Sequence, residues 1–457
     1  MVSFLFLLAC LAAIALADVP LCEWCWPVAG GNWLAERLML SVAVQVAVVG
    51  WAWWITQQAE DKLRQKPHNR SHVLAQLERH RQWHTAFWFL NVLVCGAIAG
   101  WGQAIREDGG LAVIPLIDEV LILWPVLWPM LMSWALFYRV EQTLHRLSNF
   151  PFPPMSLKEY LVYQVRLQWL LILVPLLGML AYDDLFRLCF PPENETAASD
   201  WQWAGPMLMM LGGFPFLMRY VWPTHRLPSG ALRQRLEIAC RRMKVEVREF
   251  LVWGTGRRIS NAAVVGLFRW QRFVLFSDLL IAHLNDEELE SVLAHEAGHV
   301  RHYHLLLRLL AVFSPVFLLA WFDAFAPVPL LDSLSHFATW SWPFLLLMLL
   351  LLLISFPLLL LTFAAYSRRL ETQADWFACQ ATSAACFISS LEKVAQLNGL
   401  PLHRHDWQHG SIAVRIAWLQ TATLHPSLAS SLERRLHRLA LFLYLFSLLS
   451  LLVWFGS

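Results

Sequence analysis

Charge is what this sequence has least of. Asp, Glu, Lys and Arg make up 15% of its 457 residues, against about 25% in an average soluble domain. So few charges cannot coat a globular surface of this size. A soluble enzyme, a disordered chain and a disulfide-stapled secreted scaffold are therefore excluded. An excess of one sign is also missing: the formal net charge is +2, which argues against nucleic acid as a partner. The eight cysteines contain no CxxC…CxxC pair, so there is no zinc ribbon. What is present is apolar: a hydrophobic fraction of 58% with 25 Trp and 28 Phe, directed at membrane lipid.

A membrane-spanning helix needs about 20 apolar residues. Uncharged runs at 38–59, 82–105, 120–138, 201–218, 333–367 and 439–457 meet that length, with weaker candidates at 167–182 and around 305–322, the latter interrupted by Arg308. The opening segment 1–17 is either a signal peptide ending at Ala15-Leu16-Ala17 or a ninth span. Lys and Arg collect in cytoplasmic loops. The loop 60–81 holds Lys62, Arg64, Lys66, Arg70, Arg79 and Arg81, and 139–166 adds Arg139, Arg146, Lys158 and Arg166. The alternate loops are nearly bare: 18–33 and 324–332 have none, and Arg106 and Arg187 stand alone in the other two. This alternation places 219–303 on the cytoplasmic side. Cys22, Cys25, Cys189 and the sequon at Asn194 fall outside, where a disulfide can persist. Gly96 and Gly100 form a GxxxG suited to close helix packing. Asp118 and Glu119 are expected just before a helix rather than inside one.

The cytoplasmic segment carries an HExxH, His295-Glu296-Ala297-Gly298-His299. Residues four apart share a helix face, so His295 and His299 can present imidazole nitrogens to one zinc ion while Glu296 activates water as general base. The helix start is legible in Asn285 with Asp286, Glu287 and Glu288, a capping box followed by acids in the first turn. A catalytic zinc site needs a third protein ligand. Glu371 and Asp375, again four apart, offer one carboxylate for the metal and one for a ligand histidine's free N–H; a solvated face paired with Arg368 and Arg369 is the other reading. Two spans separate the motifs, so both return to the same side. The uncharged run 333–367, if helical throughout, would project Glu371 beyond the bilayer, with Pro343 and Pro357 as possible kinks.

The run Leu293 to Val300, followed two spans later by Ser367-Arg368-Arg369-Leu370-Glu371 and Ala374-Asp375, resembles the membrane zinc metalloproteases that include CAAX prenyl endopeptidases and HtpX-type proteases. The likeness covers roughly 227–438, and the span layout is more like the prenyl-protease type. The resemblance implies His295, His299 and Glu371 as zinc ligands, Glu296 as base and Asp375 behind a ligand histidine. It also implies that Asn261-Ala262 lies on the edge strand of the cleft, among strands expected at 245–253, 259–268 and 273–276. His425-Pro426-Ser427 resembles the family's late His-Pro motif, with His425 as oxyanion stabiliser and Arg434 as the following arginine, one turn later than usual. His302 and His304 are expected on a membrane-boundary face; His403, His405 and His409 form a solvated loop or a weak adventitious metal site.

The expected architecture is mainly α: a polytopic membrane helix bundle of eight or nine spans with a cytoplasm-facing, zincin-like α+β catalytic domain split by two spans. Its parts run 1–17, 36–222 (membrane bundle), 223–304 and 367–438 (two halves of the catalytic domain), 305–366 (two-span hairpin) and 439–457 (last span). The expected activity is a zinc metalloendopeptidase with one zinc per chain. Its substrates would be membrane-associated or lipidated proteins, its surroundings membrane lipid, and its location a bacterial inner membrane or the endoplasmic reticulum. A protease signal transducer would be expected to carry a large outside domain after the last span, and an inactive scaffold would not need Glu296.

Overall fold

The computed structural model describes residues 2–17, 33–65, 70–110, 116–148, 155–190, 195–256, 259–325, 342–404, 406 and 409–456. Cys22, Cys25, Asn194 and His405 lie outside the described residues. The chain divides into two compact units, Met1–Trp222 and Pro223–Ser457.

The first unit is helical. Leu34–Gln65 packs against Arg70–Leu93 and Trp124–Ser148 around Ile55, Leu63, Trp88 and Ile122, all buried. The opening helix Val2–Ala17 belongs to this core: Phe6 stacks on Trp88 and Trp169, centroids 6.5 and 5.5 Å away. A Cβ on Gly96 would stand 2.9 Å from Leu16, so that glycine does serve close packing. Gly100 has a different use. Its φ of +61° is one that L side chains resist, and it sits where His72–Ile98 and Trp101–Asp108 meet at 59°. Asp118 and Glu119 lie within the helix Ile117–Ile122, in its first turn, where the helix dipole favours acids; Arg106 Nε donates to Asp118 at 2.8 Å.

Among the described residues three helices are long and apolar enough to cross a membrane: Leu34–Gln65, Leu157–Cys189 and Pro426–Val453; the bent pair would make a fourth.

The second unit carries the mixed domain. Strands β1 (Thr224–Arg226), β2 (Glu249–Trp253), β3 (Ala262–Val265) and β4 (Phe273–Ser277) form one sheet in the order β1-β2-β4-β3. β2 and β4 are parallel, while β1 and β3 pair antiparallel to them. Every residue of β4 is buried, as its continuous apolar run requires of a central strand. β3 is left as an edge. β2 and β3 are shorter than the apolar patterning suggests.

The motif helix Asp286–Arg301 begins as expected: Asn285 Oδ1 accepts from the Glu288 N–H at 2.9 Å, and Glu288 Oε2 accepts from the Asn285 N–H at 3.0 Å. Lys393 of the helix Ala384–Leu397 pins Glu288 through Nζ at 2.6 Å. A single helix of 40 residues, Trp342–Ala381, carries the second apolar run straight into the Glu371 and Asp375 turn, about 60 Å at 1.5 Å per residue. No break separates apolar from catalytic segment at 366/367.

Candidate active site

Small residues set the site. On the motif helix Ala294 and Ala297, and on the long helix Ala374 and Ala378, are at most 1% exposed. A Cβ on Gly298 would stand 3.0 Å from Ala374 Cα. Backbones this close bring His295 and His299 from one helix within reach of Glu371 and Asp375 from the other.

The Nε2 atoms of His295 and His299 are 3.2 Å apart. Glu371 Oε2 lies 3.5 Å from His295 Nε2, and Glu371 Oε1 lies 3.5 Å from His299 Nε2. Donors bound at about 2.0–2.1 Å to a tetrahedral zinc are roughly 3.3 Å from one another. The three side chains therefore have the spacing of one face of such a site. Glu371 Oε2 is buried without an aligned hydrogen bond, and it turns toward the same space as the two imidazole nitrogens. Two histidines and a carboxylate are a zinc donor set, so the residues present fit that ion.

Each of the three has an outer partner. His295 Nδ1 is 2.9 Å from Asp375 Oδ1, an ion-pair contact in which the ring N–H is not well aimed. Arg415 grips Asp375 with both Nε, at 2.7 Å, and Nη2. Arg308 Nη2 donates to Glu371 Oε1 at 2.7 Å. His299 Nδ1 meets His304 Nδ1 at 2.8 Å, and His304 Nε2 meets Gln373 Oε1 at 3.1 Å. His409 Nδ1 approaches Glu371 Oε2 to 3.0 Å.

Burial by itself would lower His295, but Asp375 and Glu371 outweigh it and push its pKa up to about 10. His299 has no such surplus, and burial takes it well below the usual imidazole range. Burial would raise Glu371 and Asp375, yet the imidazoles beside the first and Arg415 beside the second hold both below their ordinary values. Glu296 is shifted up, chiefly by burial. The centre therefore concentrates ionised carboxylates around imidazoles, a field that favours a cation.

Glu296 Oε2 accepts the Val264 N–H of β3 at 3.1 Å, which places the outer edge of that strand alongside the motif. Asn261 precedes β3: its N–H donates to Ser277 Oγ at 3.0 Å, and its Oδ1 accepts the Ala262 N–H at 3.0 Å. Asn398 holds the preceding residue from both sides, with Oδ1 2.9 Å from the Ser260 N and Nδ2 2.8 Å from its O. The structure thus brings His295, Glu296, His299, Glu371, Asp375 and the Asn261-Ala262 strand together.

His425 sits exposed at the break between Ile412–Leu424 and Pro426–Gly456. Arg434 is exposed too and lines a cavity of about 480 Å³ with His302 and Gln373. The histidine and arginine found against Glu371 and Asp375 are instead His409 and Arg415. His304 is fully buried rather than on a boundary face. The sequence places His409 only in a loop and gives Arg415 no motif, because both reach the site through tertiary packing. Nothing in local sequence marks Arg308 or Gln373, which reach the site only through helix packing.

The profile described as Peptidase family M48 matches residues 227–439. A protein described as CAAX prenyl protease 1 homolog from Oryza sativa subsp. japonica is 28% identical over 280 residues, 56% of this chain and 64% of that protein. Its namesake from Arabidopsis thaliana is 30% identical over 198 residues, 42% of this chain and 46% of its own. The chain thus aligns with less than two thirds of either relative's length. The crystal structure of S. mikatae Ste24p superposes with a TM-score of 0.52 at 18% identity, covering 84% of this chain and 98% of that one, which establishes a shared fold.

Proposed function

We propose, from the match of residues 227–439 to the model of peptidase family M48, that the chain is an integral-membrane, zinc-dependent endopeptidase. It hydrolyses peptide bonds of membrane or membrane-associated proteins at a cytoplasm-facing site. The observation that carries this reading is the convergence of His295, His299 and Glu371, whose ligand atoms lie within 4.8 Å of one another, beside Glu296 and an open strand edge. Segments 223–304 and 367–438 act as two halves of one catalytic domain inside a bundle of eight or nine spans, in a bacterial inner membrane or the endoplasmic reticulum.

His295 and His299, through Nε2, and Glu371 would hold the metal. A zinc ion there would supply Lewis acidity for the scissile carbonyl and make water acidic near neutral pH. Glu296 takes a proton from the attacking water onto its carboxylate and delivers it to the leaving amine. Arg415 and Asp375 fix the His295 ring so that Nε2 faces inward. His409, at the rim, donates to the carbonyl oxygen as it gains negative charge. The substrate binds extended along β3 by strand addition, with Asn261 and Ala262 on the approach, and this requires the Val264 N–H to exchange Glu296 for substrate backbone.

The names of the two plant relatives support proteins with a lipidated C-terminal CAAX motif as the substrate class. Full-length protein purified in detergent should contain one zinc per chain and cleave a prenylated CAAX peptide in a chelator-sensitive, zinc-restorable way. Cleavage of unfolded membrane proteins with no response to the prenylated peptide would redirect the substrate class. Absence of zinc together with absence of cleavage would remove the function.

A further inference from the structure

Two residues outside the motifs, His304 and Gln373, form a side-chain chain ending at His299. His304 is fully buried, so its ring cannot trade its partners for bulk water. Gln373 Oε1 faces His304 Nε2 at 3.1 Å. An amide oxygen only accepts, so His304 carries its proton on Nε2 and leaves Nδ1 as a lone pair. That lone pair lies 2.8 Å from His299 Nδ1 and accepts its N–H. With Nδ1 of His299 protonated, its Nε2 is a lone pair, and this is the atom 3.2 Å from His295 Nε2 and 3.5 Å from Glu371. Reversing the amide would reverse every proton in the chain and put a hydrogen on His299 Nε2, where it would block a metal.

We propose that His304 and Gln373 are positioning residues that set the His299 tautomer for metal binding, Gln373 acting through His304 and His304 through His299. The inference rests on the reading of His299 as a zinc ligand. Geometry makes the relay local: Gln373 is two residues from Glu371 on the long helix, and His304 opens the helix His304–Phe325 directly after the motif helix. One orienting group therefore shares the long helix with Glu371, and the other comes from the helix that follows the motif helix. Ligand histidines commonly donate their second N–H to a carboxylate or carbonyl; here a neutral imidazole takes that place and borrows its direction from an amide.

The test compares zinc affinity, by chelator competition, across full-length wild type, Gln373→Met, Gln373→Glu and His304→Ala. It also records the visible spectrum of the cobalt-substituted protein, which reports the nitrogen donors directly. Gln373→Met fills the same space without an acceptor and should weaken zinc about 10- to 100-fold, the usual effect of losing such a partner, and alter the cobalt bands. Gln373→Glu keeps an acceptor toward His304 Nε2 and should retain affinity within a few-fold with the wild-type spectrum. A role in packing alone would not separate the methionine from the glutamate variant. If His304→Ala does not fold, the Gln373 pair decides by itself. Wild-type zinc affinity and spectrum in Gln373→Met would overturn the relay while leaving the metal centre intact. A wild type that binds neither zinc nor cobalt would instead overturn the metal reading.

Discussion

The two ligand histidines differ in what surrounds them, and the difference is measurable. In the metal-free protein His295, with a pKa of about 10, holds a proton throughout the neutral range, whereas His299 is already neutral. Zinc must displace the first proton and none from the second. Between pH 6.5 and 8, loading should release one proton per ion, and the apparent Kd should tighten about tenfold per pH unit as pH rises. Titration calorimetry in two buffers of different ionisation enthalpy reads this directly; a pH-independent Kd without proton release would contradict the assignment. Arg415 supplies a second case. Removing it in Arg415→Ala leaves Asp375, 1% exposed, as a buried charge with only His295 beside it, a loss typically of 3–5 kcal/mol when one member of a buried pair is deleted. A large drop in thermal stability with weakened zinc retention is expected, and an unchanged melting temperature would count against the pair. At this scale the sequence spoke clearly where chemistry and spacing coincide on one helix turn. It was silent for Arg308 and Gln373, and it misled at His425, because a dipeptide carries no information about which of two adjacent helices reaches the metal.

Elements were legible in proportion to their local signals. The Asn285 capping box fixed the start of the motif helix, and the capping bonds stand where the four-residue pattern put them. The long apolar run led to a helix that continues through Glu371, because nothing in residues 342–381 interrupts it in spite of Pro343 and Pro357. Strand ends were less readable: β3 spans four residues because its pairing with β4, rather than its own apolar content, sets its length. The glycines show why a pattern needs a structure. Gly298 looks like the filler of a motif, yet its missing Cβ is what lets the two catalytic helices meet. Gly298→Ala would place a methyl 3.0 Å from Ala374 Cα and 3.3 Å from its carbonyl oxygen. Alanine's helix propensity contributes about 1 kcal/mol in its favour, but backbone atoms must move to admit the methyl, and overpacking costs about 1–3 kcal/mol. Reduced stability and weaker zinc binding are expected; a variant as tight and as stable as wild type would show that the helices can separate at little cost.

On the scale of the whole molecule, the scarcity of charge becomes informative once its distribution is followed. The basic loops alternate with bare ones, and this alternation is the argument for a cytoplasmic active site. It can be checked without activity. With Cys22 and Cys25 replaced by serine, an impermeant maleimide applied to the non-cytoplasmic face of sealed membrane vesicles should modify exposed Cys189 and spare a cysteine introduced by Ala75→Cys in the basic loop. The opposite pattern would invert the protein. Both catalytic segments lie within the second unit, Pro223–Ser457. The account stands most directly on one comparison: peptide cleavage by zinc-loaded wild type against zinc-loaded Glu296→Gln, with metal content measured on the same samples. Equal zinc in both and a loss of at least about a thousandfold in kcat for the variant, in the range typical of a removed acid–base group with its charge, is the predicted result. Cleavage by the fully loaded variant at the wild-type rate would contradict it.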